Sequence, residues 1–431
     1  MRCDRYHTPV CDTLRAGRLG AALWGREEGR WIMAAIDYSR FWTVPERPVP
    51  TWQEEVFQYD FGGANPGPDV MPIEDLAEAA RAVIHEEKTL IARYPPTYGP
   101  VRTREVILHK MAAHRGVTWP SIHDVLTTNG SAQGITLCLE TLTRPGDTII
   151  TDRFFYQGAV RAFVAAGLRI ATVERDDDGM RMDMLEERLH ALRQEGVTPK
   201  FIYTIPSPQN PDGSIMPPER RTRMLALARE YGTLILEDDC YVDQTLDVNA
   251  MPPAIAALDG AQERVIYIAT FSKIISPGVR VAWVAADHRL VERMAAYKQD
   301  VGNDYLSGLI VAKYLEDHLD SRISHLNARM RHKRDTMVAA LGENFGPLVS
   351  MTTPKAGMFV WAEFPADTDM QALEPITQER GVRYLGGHQF SPIGEGSRRA
   401  RFNYSFPTPE EIQEGVSLLA SVMRSEGALP D

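Results

Sequence analysis

Apolar residues in this chain fall into short β-branched runs that alternate with stretches of helical spacing, and the alternation starts at Ile73. Ile73–Arg93 and Arg102–Arg115 read as helices, Asp124–Thr127 as a short strand, and Ser131–Leu142 as a helix opening on a serine cap. The series continues with strand Thr148–Thr151, helix Tyr156–Ala166, strand Arg169–Val173, helix Met184–Gln194, strand Phe201–Ile205, helix Pro218–Tyr231 and strand Thr233–Leu236. Two more apolar runs, Val265–Ile268 and Val279–Val284, read as buried strands around a polar segment that carries Lys273. Strands alternating with helices predict an α/β fold with a mostly parallel sheet covered on both faces. In such sheets ligands gather at the carboxyl ends of the strands.

The pattern changes after about Leu319. A long helix (Arg322–Leu341) leads to strands Met358–Glu363 and Ala400–Asn403, with helices Met370–Arg380 and Pro409–Met423. The expected organisation is an N-terminal arm over 1–60, a large domain over 61–319 and a smaller α+β domain over 320–431, on which the arm packs. A length of 431 residues fits two domains of ordinary size.

Composition narrows the function classes. The net charge of −11 disfavours nucleic acid and anionic membrane surfaces as partners. The four cysteines, Cys3, Cys11, Cys138 and Cys240, form no CxxC pair, so neither a disulfide framework nor a zinc site is suggested, and a reducing, cytoplasmic compartment fits. His109, His114, His318 and His325 lack metal-ligand spacing, and no apolar run reaches membrane-spanning length.

Candidate chemistry collects in the segments that follow the strands. Lys273 lies between Ser272 and the Pro277-Gly278 turn, with Thr270 before it and Arg280 after it. A lysine desolvated beside other cations loses basicity and becomes a nucleophile toward an aldehyde. Gly130-Ser131-Ala132 opens a helix, where backbone N–H groups suit a phosphate, though a serine cap needs no ligand. Tyr156 offers a ring for stacking, or simply core. Asn210, in SPQNPDG, either closes an Asx turn or points its amide into the crevice. Asp238, in LILEDDCY, follows an apolar run where a bare carboxylate is costly, and Tyr241 adds a hydroxyl. Arg401, in ARFNYS, suits a bidentate carboxylate.

Taken in order, TNGSAQ, NPDG, EDDCY, TFSK–PGVR and RFNYS resemble the fold-type I pyridoxal phosphate enzymes of the class I/II aminotransferase family, from about Phe61 to Met423. Within that family the chain looks most like the 2-aminoadipate and aromatic aminotransferases that share their domain with the MocR-type regulators. The resemblance implies a large domain with a mostly parallel seven-stranded sheet plus a smaller α+β domain, and pyridoxal 5'-phosphate as cofactor. It makes Lys273 the Schiff-base lysine, Asp238 the partner of the pyridine nitrogen, Asn210 and Tyr241 ligands of the phenolic oxygen, and Tyr156 the stacking ring. It gives Gly130, Ser131, Ala132, Thr270, Ser272 and Arg280 to the phosphate. Gly63, Asn210 and Arg401 fall to the substrate, Arg401 to its α-carboxylate. Tyr94, in YPPTYG, reaches the neighbouring subunit of a homodimer.

The function so implied is transamination of an amino acid to a 2-oxo acid, with a 2-oxo acid acceptor. The same chemistry on relatives' scaffolds runs to β/γ-elimination, replacement, cyclisation or annulation. A MocR-like regulator is disfavoured, because about 60 residues precede the domain and carry no clear winged-helix pattern. Asn303, Asp304, Tyr305, Tyr98 and His388 depart from the family's usual residues and are candidates for shaping the substrate pocket.

Overall fold

A computed structural model describes residues 56–248, 251–300, 302 and 305–429. Ahead of these, only the backbone of an antiparallel hairpin is described, Trp24–Glu27 with Arg30–Met33, in a unit separate from Val56–Asp431. The expected arm over 1–60 and its packing therefore fall mostly outside the described residues. Its last part, Tyr59–Asp60, pairs in parallel with Val382–Arg383.

Seven strands build the main sheet: β1 (Val125–Asn129), β2 (Thr148–Asp152), β3 (Arg169–Val173), β4 (Phe201–Thr204), β5 (Leu234–Asp238), β6 (Val265–Thr270) and β7 (Val281–Ala285). Their spatial order is β1-β7-β6-β5-β4-β2-β3, and only β7 runs antiparallel, against both β6 and β1. The connection explains the exception. Residues 271–280 between β6 and β7 are too few for a parallel crossover, which takes about a dozen or more. Lys273 therefore sits in a tight return at the sheet's carboxyl edge. Alternate residues of each strand feed two cores: Ile235, Val265, Tyr267 and Trp283 join one, while Tyr203, Leu236, Ile266 and Val284 join the other.

A second, antiparallel sheet has the order β8-β9-β11-β10, formed by β8 (Ser350–Met351), β9 (Phe359–Glu363), β10 (Leu385–Gly386) and β11 (Arg399–Asn403). Arg401 lies in this sheet, opposite Trp361 on one side and Leu385 on the other. The helix expected at Arg322–Leu341 spans Tyr305–Phe345 and carries the chain across the 319/320 division. Its first turns bury Leu309, Val311, Ala312, Tyr314 and Leu315 on several faces, so they lack the one-sided stripe that marks a surface helix. No helix among the described residues is long and apolar enough to cross a membrane.

Candidate active site

The carboxyl ends of β1, β5 and β6, the turn after β4 and strand β11 meet around Lys273. Its Nζ donates to the carbonyl of Ala64 at 2.7 Å and stands 5.5 Å above the Tyr241 ring. Burial pushes this amine down to about 8, and Arg401 and Arg280 act in the same direction.

Asp238 ends β5 with 3% of its surface exposed. Its Oδ2 accepts a hydrogen bond from the Tyr203 hydroxyl at 2.8 Å, and its Oδ1 has no partner. Desolvation raises this carboxyl above the usual carboxylate range, while Cys240, Tyr203 and Lys273 pull it back. A buried carboxylate bonded by a neutral phenol and a thiol and by no cation is electrostatically open.

Arg401, fully buried, links the two sheets. Its Nη1 donates to Asn210 Oδ1 at 3.0 Å, and Asn210 Nδ2 donates to the Tyr241 hydroxyl at 3.1 Å. Arg401 Nη2 donates to the carbonyls of Gly62 and Gly63, each at 2.7 Å, and Nε has no partner. The guanidinium lies 4.1 Å from the Phe359 ring centroid and 5.1 Å from that of Phe390. Burial lowers it to about 10, which still leaves it charged at neutral pH.

The expected phosphate residues form a cradle at the sheet edge. Gly130, at φ 76°, is the N-cap of Ser131–Leu142, and no side chain caps that helix. This corrects the expectation for Ser131, which is the first helical residue rather than the cap. A left-handed glycine lets the chain turn into the helix before the serine is reached. Arg280 is left-handed too, at φ 53°, the one such non-glycine among the described residues. The Gly130 N–H donates to the Arg280 carbonyl at 3.0 Å, and a Cβ on Gly130 would displace the Arg280 guanidinium from its place beside the turn. Thr270 Oγ1 lies 2.9 Å from Ser272 Oγ and accepts from the Ser272 N–H at 3.1 Å. Ser131 sits against Cys240, and Ala132 follows it on the exposed first turn.

Tyr156 is the N-cap of helix Gln157–Ala165, half-buried, with Asp238, Cys240 and Arg401 in its electrostatic surroundings. Sequence reasoning missed what holds it there. A Cβ on Gly158 would collide with Tyr156 Cζ, so the ring folds down over the helix start only because position 158 is glycine. It also missed Tyr203 and Cys240. Period-two alternation places Tyr203 in register with Leu236, on the face that Asp238 shares, and that signal could have found it.

Tyr94, His388 and Tyr305 lie apart from the hydrogen bonds of this cluster. Tyr94 is 88% exposed. His388 stands 3.8 Å from Glu374, its Nδ1 buried without a partner. Tyr305 begins the long helix, and Asn303 and Asp304 lie outside the described residues. Tyr98 is fixed by its backbone carbonyl, which accepts from the Thr127 N–H at 3.1 Å.

Residues 59–419 match the family described as aminotransferase class I and II. Aromatic-amino-acid aminotransferase 1 of Thermococcus litoralis is 33% identical over 367 residues, 84% of this chain and 87% of its own length. The 2-aminoadipate transaminase of Thermus thermophilus is 31% identical over 374 residues, 86% and 91% of the two chains. Among solved structures, an α-aminoadipate aminotransferase from Thermus thermophilus, complexed with N-(5'-phosphopyridoxyl)-L-leucine, is similar with a TM-score of 0.80 and 30% identity, covering 88% of this chain and 94% of that one.

Proposed function

The chain belongs to the aminotransferase class I and II family and is a pyridoxal phosphate-dependent aminotransferase; from that premise we propose that it takes the amino group of an α-amino acid gripped by Arg401 and passes it to a 2-oxo acid. One observation carries this reading. A lysine pushed down to about 8 stands beside a buried carboxylate that no cation bonds, with a buried guanidinium close by.

The residues fit the cofactor. Asp238 offers a carboxylate oxygen without a partner to a protonated ring nitrogen, and Tyr156 a face to the ring. Asn210 and Tyr241, already bonded to each other, offer an amide and a hydroxyl to the ring's phenolic oxygen. The cradle where a Cβ would collide collects the first N–H groups of a helix, the hydroxyls of Ser131, Thr270 and Ser272, and Arg280, which suits a phosphate. Lys273 would hold the aldehyde carbon.

When bound, pyridoxal phosphate supplies an aldehyde that condenses with amines and a protonated ring that withdraws electrons from the substrate Cα. Asp238 keeps the ring nitrogen protonated by staying ionised. Arg401 receives the α-carboxylate, exchanging neutral carbonyl partners for a charged one, and so fixes which Cα bond faces the ring. Lys273 Nζ takes the Cα proton as a general base, and an amine near 8 is well matched to that task at neutral pH. The hydrophobic wall of Phe359 and Phe390 keeps water from the guanidinium.

The exposed ring of Tyr94 supports a homodimer in which it reaches the second copy's phosphate, and the two sheets support a large and a small lobe that meet at Arg401. Elimination, replacement, cyclisation or annulation would use the same groups up to removal of the Cα proton, and nothing among the described residues favours them, or a regulator's role, over transamination. The test is to mix the loaded protein with single amino acids and identify the products by mass. Stoichiometric release of the matching 2-oxo acid supports the reading. Release of a side-chain leaving group would overturn it.

A further inference from the structure

Asp238 does not stand alone at its strand end. Tyr203, fully buried on β4, donates to Oδ2 at 2.8 Å, which leaves Oδ1 as the oxygen without a partner. Two aromatic neighbours hold the phenol's ring. Phe163 meets it edge-on at 5.2 Å between centroids and Phe155 at 5.6 Å, and all three rings belong to one core. Phe155 directly precedes Tyr156 and donates its N–H to the carbonyl of Phe390, which flanks Arg401. One aromatic cluster therefore sets the place of the hydroxyl on Asp238 and the chain path of the stacking tyrosine.

We propose that Tyr203 is a positioning residue for the cofactor: it occupies Oδ2, aims Oδ1 at the ring nitrogen, and holds the Asp238 carboxylate ionised inside the core. This rests on the pyridoxal phosphate reading above. The physical argument is a balance at a buried acid. Burial favours the neutral carboxyl, and Asp239 next to it acts in the same sense. Against these stand the Tyr203 hydroxyl from β4, the Cys240 thiol just beyond β5 and the Lys273 amine beyond β6, while Tyr156 faces the carboxyl from the start of its helix. Lys273 would be occupied by the cofactor's aldehyde carbon, and a buried thiol is a weak donor, so the phenol is the one strong donor left to the carboxylate. A neutral Asp238 would attract a protonated ring nitrogen far less, so cofactor binding weakens on the acid side as Asp238 takes up a proton.

The test compares native protein with Tyr203→Phe by titrating pyridoxal phosphate from neutral into acid pH, the side on which a raised buried carboxyl takes up its proton. Removing a hydrogen bond to a charged group should weaken cofactor binding about tenfold at neutral pH and move the acid limb of the binding curve up by about one pH unit. In an Asp238→Asn background the same change should alter affinity by less than about twofold, because Tyr203 acts through that carboxylate. Phe163→Leu keeps the hydroxyl but loosens its clamp, and should move the acid limb in the same direction by less. Native affinity and native pH profile in both Tyr203→Phe and Phe163→Leu would overturn the proposal. So would an equal loss with and without the Asp238→Asn change, or a lowered Tm with unchanged binding, since each marks a purely structural tyrosine. Failure of the native chain to bind pyridoxal phosphate at any pH would instead bring down the functional reading on which the proposal stands.

Discussion

Asp238 and Asp239 are adjacent in sequence, both almost completely buried, and opposite in what surrounds them. Asp239 faces the core that holds Tyr267. Its Oδ2 accepts from Arg115 Nε at 2.6 Å and from the Tyr267 hydroxyl at 2.8 Å, and Arg115 goes on to donate to the carbonyl of Pro252. Asp238 faces the other core, and its hydrogen-bond donors there, the Cys240 thiol and the phenol of Tyr203, are both neutral. Each carboxylate leaves one oxygen unpartnered, so the number of satisfied atoms does not separate them. The cation does. A buried acid with its own arginine is a closed structural unit. A buried acid that no cation hydrogen-bonds, with only the charge of Lys273 nearby, is arranged for a charge that arrives with a ligand.

The largest expected break in this comparison lies beside Asp238, at Lys273. Lys273→Ala removes the base and the cofactor's point of attachment, and turnover should fall on the order of 10⁴-fold in a steady-state assay while the circular dichroism spectrum stays native. An active variant would move the chemistry to another residue.

The two aspartates then give opposite readouts. Asp239→Asn leaves Arg115 buried without its partner and should remove about 3 to 5 kcal/mol of unfolding free energy, measured by denaturant titration, with cofactor affinity near native in the folded fraction. Asp238→Asn removes from the core a charge that no cation hydrogen-bonds. It should leave the unfolding free energy of the cofactor-free chain within about 1 kcal/mol of native, yet lower turnover at least about 10²-fold. Matching effects of the two changes on stability would erase the distinction.

Arg401 offers a third test, because the same guanidinium serves both sheets. Arg401→Lys keeps a charge but loses the fork that reaches Gly62, Gly63 and Asn210 together. KM for the amino donor should rise about 10²-fold with a smaller change in kcat, since the lost contacts grip the carboxylate in ground and transition states alike. A fall in kcat alone would assign Arg401 to the chemical step.

How far the sequence reached follows the same divide. Strands of β-branched residues and helices with one apolar stripe were legible, and Arg169–Val173, Ser131–Leu142 and Pro218–Tyr231 have the bounds expected of them. Residues whose chemistry is unusual for their place, such as Lys273 in a strand-to-strand return, were legible as well. Partners were not. That Asp239 would take Arg115, 124 positions away, and Asp238 only Tyr203, depends on which side of β5 each residue faces and on what a distant strand or helix brings there. Gly158 is the same kind of miss, because its need for a missing Cβ exists only once the Tyr156 ring lies over it. The antiparallel course of β7 was within reach, since the length of the return after β6 is written in the sequence.

The smallest expected effect sharpens the comparison through pH alone. Burial lowers Lys273 from 10.5 to about 8, so below about pH 8 the cofactor-free folded chain carries a buried ammonium that the unfolded chain would hydrate. Between about 8 and 10.5 the unfolded lysine holds a proton that the folded one has released, and the stability contributed by this group rises with pH. Lys273→Met abolishes that dependence. Its Tm should exceed that of native cofactor-free protein by a few degrees near neutral pH, and the gap should close as pH rises through about 10. At Arg115 the sign differs: burial pulls the guanidinium down, but Asp239 and Tyr267 carry it above its ordinary value, so it keeps its proton across the whole range. The Tm deficit of Arg115→Met should therefore stay constant over the interval in which the Lys273→Met gap disappears. A deficit that tracked pH at Arg115, or a gap that did not at Lys273, would show that the two buried clusters are not divided by where their counter-charges come from.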